Sequence, residues 1–189
     1  MTTSIMIVGV GGQGTLLASR LMGAALLSQG WDVKVSEVHG MSQRGGSVVT
    51  YVKYGESVAS PIVDMGEADV IMAFEQLEAA RWAPYLKPGG KLVLNTQQLN
   101  PMPVITGAAE YPQGIVEKLE AAGVNLQAVD ALSLAQQAGS SKAVNVVLLG
   151  ALAKHMEIPR DVWQTCIKEQ VKPAFVEMNL KAFALGFDA

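Results

Sequence analysis

Four glycines within six residues, Gly9-Val10-Gly11-Gly12-Gln13-Gly14, constrain this chain more than any other feature of its sequence. Ahead of them Ser4-Ile5-Met6-Ile7-Val8 is an apolar run of strand length, and behind them Leu16, Leu17, Leu21, Met22 and Ala25 recur at helical spacing. Gly30 closes that helix, and Trp31-Asp32-Val33-Lys34-Val35 alternates apolar with polar as a second strand does. The first 35 or so residues therefore read as one right-handed β-α-β unit. Gly9, Gly11 and Gly14 satisfy G-x-G-x-x-G: the first allows a tight turn, the second lets backbone approach a phosphate, and the third lets helix pack on strand. The helix N-terminus then offers unpaired N–H groups and a positive dipole end to an anion. Three readings stay open on this motif alone. One is a dinucleotide site with Glu37, at the end of the second strand, as its ribose-binding acid; the others are a site for a different phosphate-bearing ligand and a purely structural turn. Gly12 and Gln13 in the variable positions weigh against the first, as does a second glycine-rich segment directly after Glu37.

That second segment, Ser36 to Gly46, is polar, holds three glycines and shows neither helical nor strand period. It is too elaborate for a mere connector, and loops of this kind often carry function. Ser47 to Tyr54 is β-branched and aromatic, and with Pro61-Ile62-Val63 returning beside it the spacing predicts a hairpin-like insertion. Further alternation of the α/β kind follows: a strand over 69–73, a helix over 75–85, a turn at Pro88-Gly89-Gly90, and a strand over 91–95. After a link at 100–106 come a helix over 113–122, a strand over 125–129 and a helix over 131–138. The remainder is helical: 143–156, 160–170 and 174–185, the last stopping at Gly186. Apolar on every side, the 143–156 helix requires burial or packing against another subunit, which points to a partner chain, or to a homodimer when the chain stands alone. The whole predicts an α/β fold in a single domain over 1–189: a Rossmann-like, mostly parallel sheet with helices on both faces, a small β insertion and a helical C-terminal region.

Composition removes several function classes. With 14 Lys+Arg against 17 Asp+Glu among 189 residues, the chain lacks the broad basic footprint of a duplex nucleic-acid binder. Its apolar runs break before the roughly 18 residues a membrane span needs, so neither nucleic acid nor membrane is an expected partner, and the cytoplasm is the expected location. One cysteine, Cys166, can build neither a disulfide framework nor an iron–sulfur site, so no metal site is expected in this chain.

Taken together, Gly9 to Gly14, the stretch Glu37-Val38-His39-Gly40-Met41-Ser42-Gln43-Arg44-Gly45-Gly46-Ser47 and the later Asn145 to Gly150-Ala151 resemble the gamma-type domain of the 2-oxoacid:ferredoxin oxidoreductases. The resemblance covers nearly the whole chain. It implies one subunit of a larger enzyme, inactive alone, that decarboxylates a 2-oxoacid oxidatively, joins the acyl group to coenzyme A and passes electrons to ferredoxin. It favours arylpyruvates such as indolepyruvate as substrate. It also implies that thiamine diphosphate with its Mg, and the iron–sulfur clusters, sit in a large alpha subunit, with none bound tightly here. The cofactor-binding candidates are Gly9, Gly11, Gly12, Gln13 and Gly14 with Ser42, Gln43, Arg44, Gly45 and Gly46. Arg44 offers a planar fork suited to phosphate or carboxylate, the glycines admit close approach of a ligand, and Gln13, Ser42 and Gln43 supply neutral hydrogen bonds. Both loops leave the carboxyl ends of strands and are expected to meet. The alternative is a self-sufficient NAD- or FAD-dependent oxidoreductase of Rossmann type.

Single residues divide between chemistry and packing. His39 either donates to an acyl oxygen or ties loop backbone together, and is the one catalytic candidate. His155, Cys166 and the tryptophans Trp31, Trp82 and Trp163 read as structural. Glu75 and Glu78 read as favourable charges in the first turn of a helix.

Overall fold

The computed structural model describes residues 2–37, 42 and 44–189. Its central strand, β1 (Thr2–Val10), buries Ile5 and Ile7 on one face and Met6 and Val8 on the other, as a period of two requires. That two-sided burial is why the run is apolar without interruption. After α1 (Thr15–Ser28) come β2 (Asp32–Glu37), β3 (Ser47–Gly55) and β4 (Ala68–Ala73). Then follow α2 (Gln76–Trp82), β5 (Leu86–Asn95), the short α3 (Met102–Ile105), α4 (Ile115–Ala121), β6 (Asn125–Val129) and α5 (Ala131–Ala138). Three helices close the chain: α6 (Val144–Ala153), α7 (Arg160–Gln170) and α8 (Val176–Phe187). The strands form one sheet in the order β2-β3-β1-β4-β5-β6. The pairs β1–β4, β4–β5 and β5–β6 are parallel, and β3 runs antiparallel to both of its neighbours.

The fold class is the expected one, an α/β sheet with helices on both faces. Five helices, α1 and α5 to α8, pack on the side of Ile5, Ile7, Met72 and Val93; α2 and α4 pack on the side of Met6, Val8, Ile71 and Leu92. Three elements differ from expectation. The hairpin-like insertion is instead a sheet strand: β3 wedges between β1 and β2, and Pro61 to Val63 is not in a strand. Its β-branched content identified a strand, but which strands it joins is a long-range matter. Pro88 to Gly90 is not a turn ahead of a strand but an irregularity within β5, which begins at Leu86, with Gly89 in the left-handed region at φ 78°. Gly186 does not stop the last helix, because its missing side chain serves packing. A Cβ there would lie 2.7 Å from the Val147 carbonyl carbon of α6, and one at Gly150 would lie 2.8 Å from the Phe187 nitrogen of α8. All ten residues of α6 are buried within the chain, so its apolar surface is spent on the sheet, α5 and α8. The ground for expecting a homodimer across that helix is thereby removed.

Candidate functional site

The glycine segment connects β1 to α1 at the carboxyl edge of the sheet. Gly12 (φ 99°) and Gly14 (φ 85°) take the left-handed conformation that admits glycine at little cost, and Gly14 is also the N-cap of α1. Gly14 has a second reason to be glycine: a Cβ would lie 2.6 Å from Asn145 Nδ2, whose amide donates to the Gly14 carbonyl at 3.1 Å. Asn145 opens α6, so the segment noted in the sequence fastens the glycine turn from above. Gly9 lets Phe74 and Gln13 approach, each 2.9 Å from where its Cβ would stand.

Gln13 is placed differently from expectation. Its Oε1 accepts from the Val10 N–H at 2.7 Å and its Nε2 donates to the Phe74 carbonyl at 3.1 Å, so the amide ties the end of β1 to the end of β4. The same Phe74 carbonyl accepts from Asn95 Nδ2 at 3.1 Å, and Asn95 Oδ1 accepts from the Ala131 N–H at 3.3 Å. Two carboxamides thus link β1, β4, β5 and the start of α5 along one edge. Asn95 escaped the sequence reading; its signal is a polar residue closing the apolar run Leu92-Val93-Leu94.

The two loops meet, as expected. Because β3 is antiparallel to β1, its first residue Ser47 pairs with Val10, and the Gly11 N–H donates to the Gly46 carbonyl at 2.9 Å. Gly46 N–H donates in turn to the Ser42 carbonyl at 2.9 Å, and a Cβ on Gly46 would lie 2.9 Å from the Ser42 Cα. Gly45 has φ 93°, and Arg44 and Gly45 are exposed. His39 and Gln43, with Val38, Gly40 and Met41, lie outside the described residues.

Two cavities flank the turn. One of about 280 Å³ is lined by Gly11, Gly12, Gly14, Thr15, Leu16, Val48 and Thr50. The other, of about 510 Å³, lies towards α5 and α6, where Gln97, Ser141 and Lys142 join Gly12, Gln13 and Gly14. The first turn of α1 holds no acidic residue and its N-cap has no side chain to occupy the free N–H groups. Backbone donors and the dipole end, with Lys142 in the lining of the second cavity, give this edge the electrostatics of an anion cradle. Glu37 is not part of it. The insertion of β3 puts two strand spacings, roughly 9–10 Å, between β2 and β1, and the Glu37 carboxylate accepts from Ser19 of α1 at 2.7 Å. A dinucleotide reading needs that acid one strand from the glycine turn, and needs the crevice that Gln13 bridges.

Glu75 and Glu78 stand at the start of α2, as the sequence implied, and both are buried: only 1% and 4% of their surfaces are exposed. Glu75 is the N-cap of α2, accepting from Glu78 N–H at 3.0 Å, Leu99 N–H at 3.1 Å and the Tyr111 hydroxyl. Burial, and then that carboxylate, push the Tyr111 phenol well above its ordinary range. Glu78 accepts from the Ser47 hydroxyl, Arg81 Nε at 3.2 Å and Trp82 Nε1 at 3.3 Å. Among the described residues no group of three or more His, Cys, Asp or Glu is placed to hold a metal ion. Cys166 is buried in α7, where burial pushes its thiol up, so its chemistry is that of a small core residue.

The arrangement is that of an α/β fold presenting two interlocked glycine loops at one end of its sheet. The sequence model of the family described as pyruvate ferredoxin/flavodoxin oxidoreductase matches residues 4–189, and the chain belongs to that family. Among its members, the indolepyruvate oxidoreductase subunit IorB of Thermococcus kodakarensis is 45% identical, the alignment covering 98% of this chain and 95% of that one. The subunit of that name in Archaeoglobus fulgidus is 38% identical over 100% and 95%. In structure, the gamma subunit of a keto/oxoacid ferredoxin oxidoreductase from Geobacter sulfurreducens matches with a TM-score of 0.71, at 25% identity and 98% and 96% coverage. The 2-oxoglutarate:ferredoxin oxidoreductase of Magnetococcus marinus, solved with 2-oxoglutarate, coenzyme A and succinyl-CoA bound, shares the fold at a TM-score of 0.74 and 20% identity. That match covers 99% of this chain and 30% of the Magnetococcus one.

Proposed function

We propose that this chain, acting as one domain over 1–189, is the small subunit of an arylpyruvate:ferredoxin oxidoreductase, with indolepyruvate the substrate best supported. It works in the cytoplasm with a large subunit that carries thiamine diphosphate and the iron–sulfur clusters, and ferredoxin takes the electrons. Among the described helices none is long and apolar enough to cross a membrane. The chain's single cysteine offers no ligand set for a cluster. In the partner, the thiamine cofactor supplies the decarboxylation chemistry.

The contribution of this chain is to bind and to orient. The observation that carries the reading is the Gly11 N–H to Gly46 carbonyl bond, which brings the exposed Arg44 loop to the side-chain-free N-terminus of α1. An anionic group of coenzyme A, held there by the Arg44 fork and the backbone donors, is directed towards the thiamine-bearing partner. Arg44→Ala tests this in the intact, anaerobically purified complex. Loss of charge-assisted hydrogen bonds worth about 1.5–3 kcal/mol should raise the KM for coenzyme A by roughly 10- to 150-fold. Unchanged ligand binding together with unchanged dye reduction would remove the proposal.

A further inference from the structure

We infer that Ser47 and the buried carboxylate of Glu78 form a positioning pair that holds the Arg44 to Gly46 loop in register with the glycine turn. This rests on the reading that the loop binds coenzyme A. Glu75 already caps α2, so the N-terminus of that helix does not call for the Glu78 carboxylate. The Glu78 side chain instead reaches across to the first residue of β3 and accepts the Ser47 hydroxyl. Its other donors, Arg81 Nε and Trp82 Nε1, come from its own helix and fix where the carboxylate stands. Ser47 follows Gly46, whose N–H and carbonyl are the two backbone contacts that fold the loop on itself and join it to Gly11. A charge buried to this degree is costly to desolvate, and one set against a sheet edge gives a reference point that moves little with solvent. Arg44 lies three residues from that point in a loop with a left-handed Gly45. Without the hydroxyl anchor the loop gains freedom, and the Arg44 fork spends more of its time away from the anion.

The test is a cycle of variants in the complex: Ser47→Ala, Ser47→Thr, Arg44→Ala and the double variant Ser47→Ala/Arg44→Ala. Ser47 is exposed at the strand end, so these changes leave the core intact. Ser47→Ala should raise the KM for coenzyme A about three- to tenfold, with kcat at saturation within about twofold of wild type. Ser47→Thr, which keeps the hydroxyl, should restore it. Because Ser47 acts through the loop, its effect should largely vanish in the Arg44→Ala background. A raised KM for Arg44→Ala beside an unchanged one for Ser47→Ala would overturn the pair and leave the loop reading standing. An equal Ser47→Ala effect in both backgrounds would also overturn it, since the residue would then act independently of Arg44. An unchanged KM in Arg44→Ala would remove the loop reading, and the pair with it.

Discussion

Gly186→Ala and Gly23→Ala make the same chemical change inside helices of the same chain and should move stability in opposite directions. In α1, a Cβ on Gly23 meets nothing within 4 Å, and Gly23 is not among the positive-φ glycines. The substitution there should recover the helical penalty of glycine, about 0.5–1 kcal/mol. In α8, a Cβ on Gly186 would stand 2.7 Å from the Val147 carbonyl carbon and 3.0 Å from its Cα. The Val147 carbonyl oxygen is nearer still, so restoring ordinary contact at about 3.5 Å requires α8 to move off α6 by more than 1 Å, which forfeits at least a quarter to a half of each dispersion contact along the crossing. Overpacking of this kind costs about 1–3 kcal/mol and occasionally more, and because the contact is with backbone, which cannot rotate away, Gly186 falls at the upper end, about 3 kcal/mol. After the helical gain is subtracted, the net loss is about 2 kcal/mol. For a chain of this length each kcal/mol shifts Tm by about 2–4 °C, so Gly186→Ala should melt roughly 4–8 °C below wild type and Gly23→Ala about 1–4 °C above. Circular-dichroism melts of the purified chain read both. If the two variants shift Tm in the same direction, the close α6–α8 crossing is not what holds Gly186 as glycine.

Three further outcomes follow from the same geometry. Gln13→Glu replaces the donor to the Phe74 carbonyl with a carboxylate that faces it, and urea unfolding should report a loss of about 1–3 kcal/mol; an unchanged midpoint would mean the β1–β4 tie carries no energy. Burial first, then the charges of Lys91 and Lys154, hold the His155 imidazole below its usual 6.5, so the unfolded chain binds the proton more tightly. Its contribution to stability is therefore full above that value and is lost as pH falls through the lower native one; an NMR titration placing His155 at or above 6.5 would contradict this. Asp130 caps α5 by accepting from Ser133 N–H at 3.1 Å and Ser133 Oγ at 2.6 Å, bonds that hold its carboxyl below the ordinary value of 3.8. Asp130→Ala should cost about 1 kcal/mol at neutral pH. The difference from wild type should fade as pH falls through the lowered value, and a gap that persists there would separate the effect from the carboxylate.

The sequence by itself determined what depends on near neighbours. Apolar runs, glycine punctuation and helical spacing located the strand–turn–helix opening, β6, α5 and α7, because period and turn chemistry are written within a few residues. The two glycine loops were legible for the same reason, and so was their meeting, since both leave strand ends on one edge. Tertiary structure alone decided three things. It decided that β3 lies between β1 and β2, which moves Glu37 away from the turn, because strand order is set by long-range pairing. It decided that Gln13 bridges β1 to β4, that Asn95 shares the Phe74 carbonyl with it, and that Asn145, far along the chain, fastens the turn at Gly14. And it decided that Glu75 and Glu78 at the start of α2 are buried, and that Gly150 and Gly186 are contact points between α6 and α8, although Gly186 reads from sequence as a helix stop. Local periodicity states which face of an element is apolar, but only the packed chain states what that face, or a carboxylate beside it, finally touches.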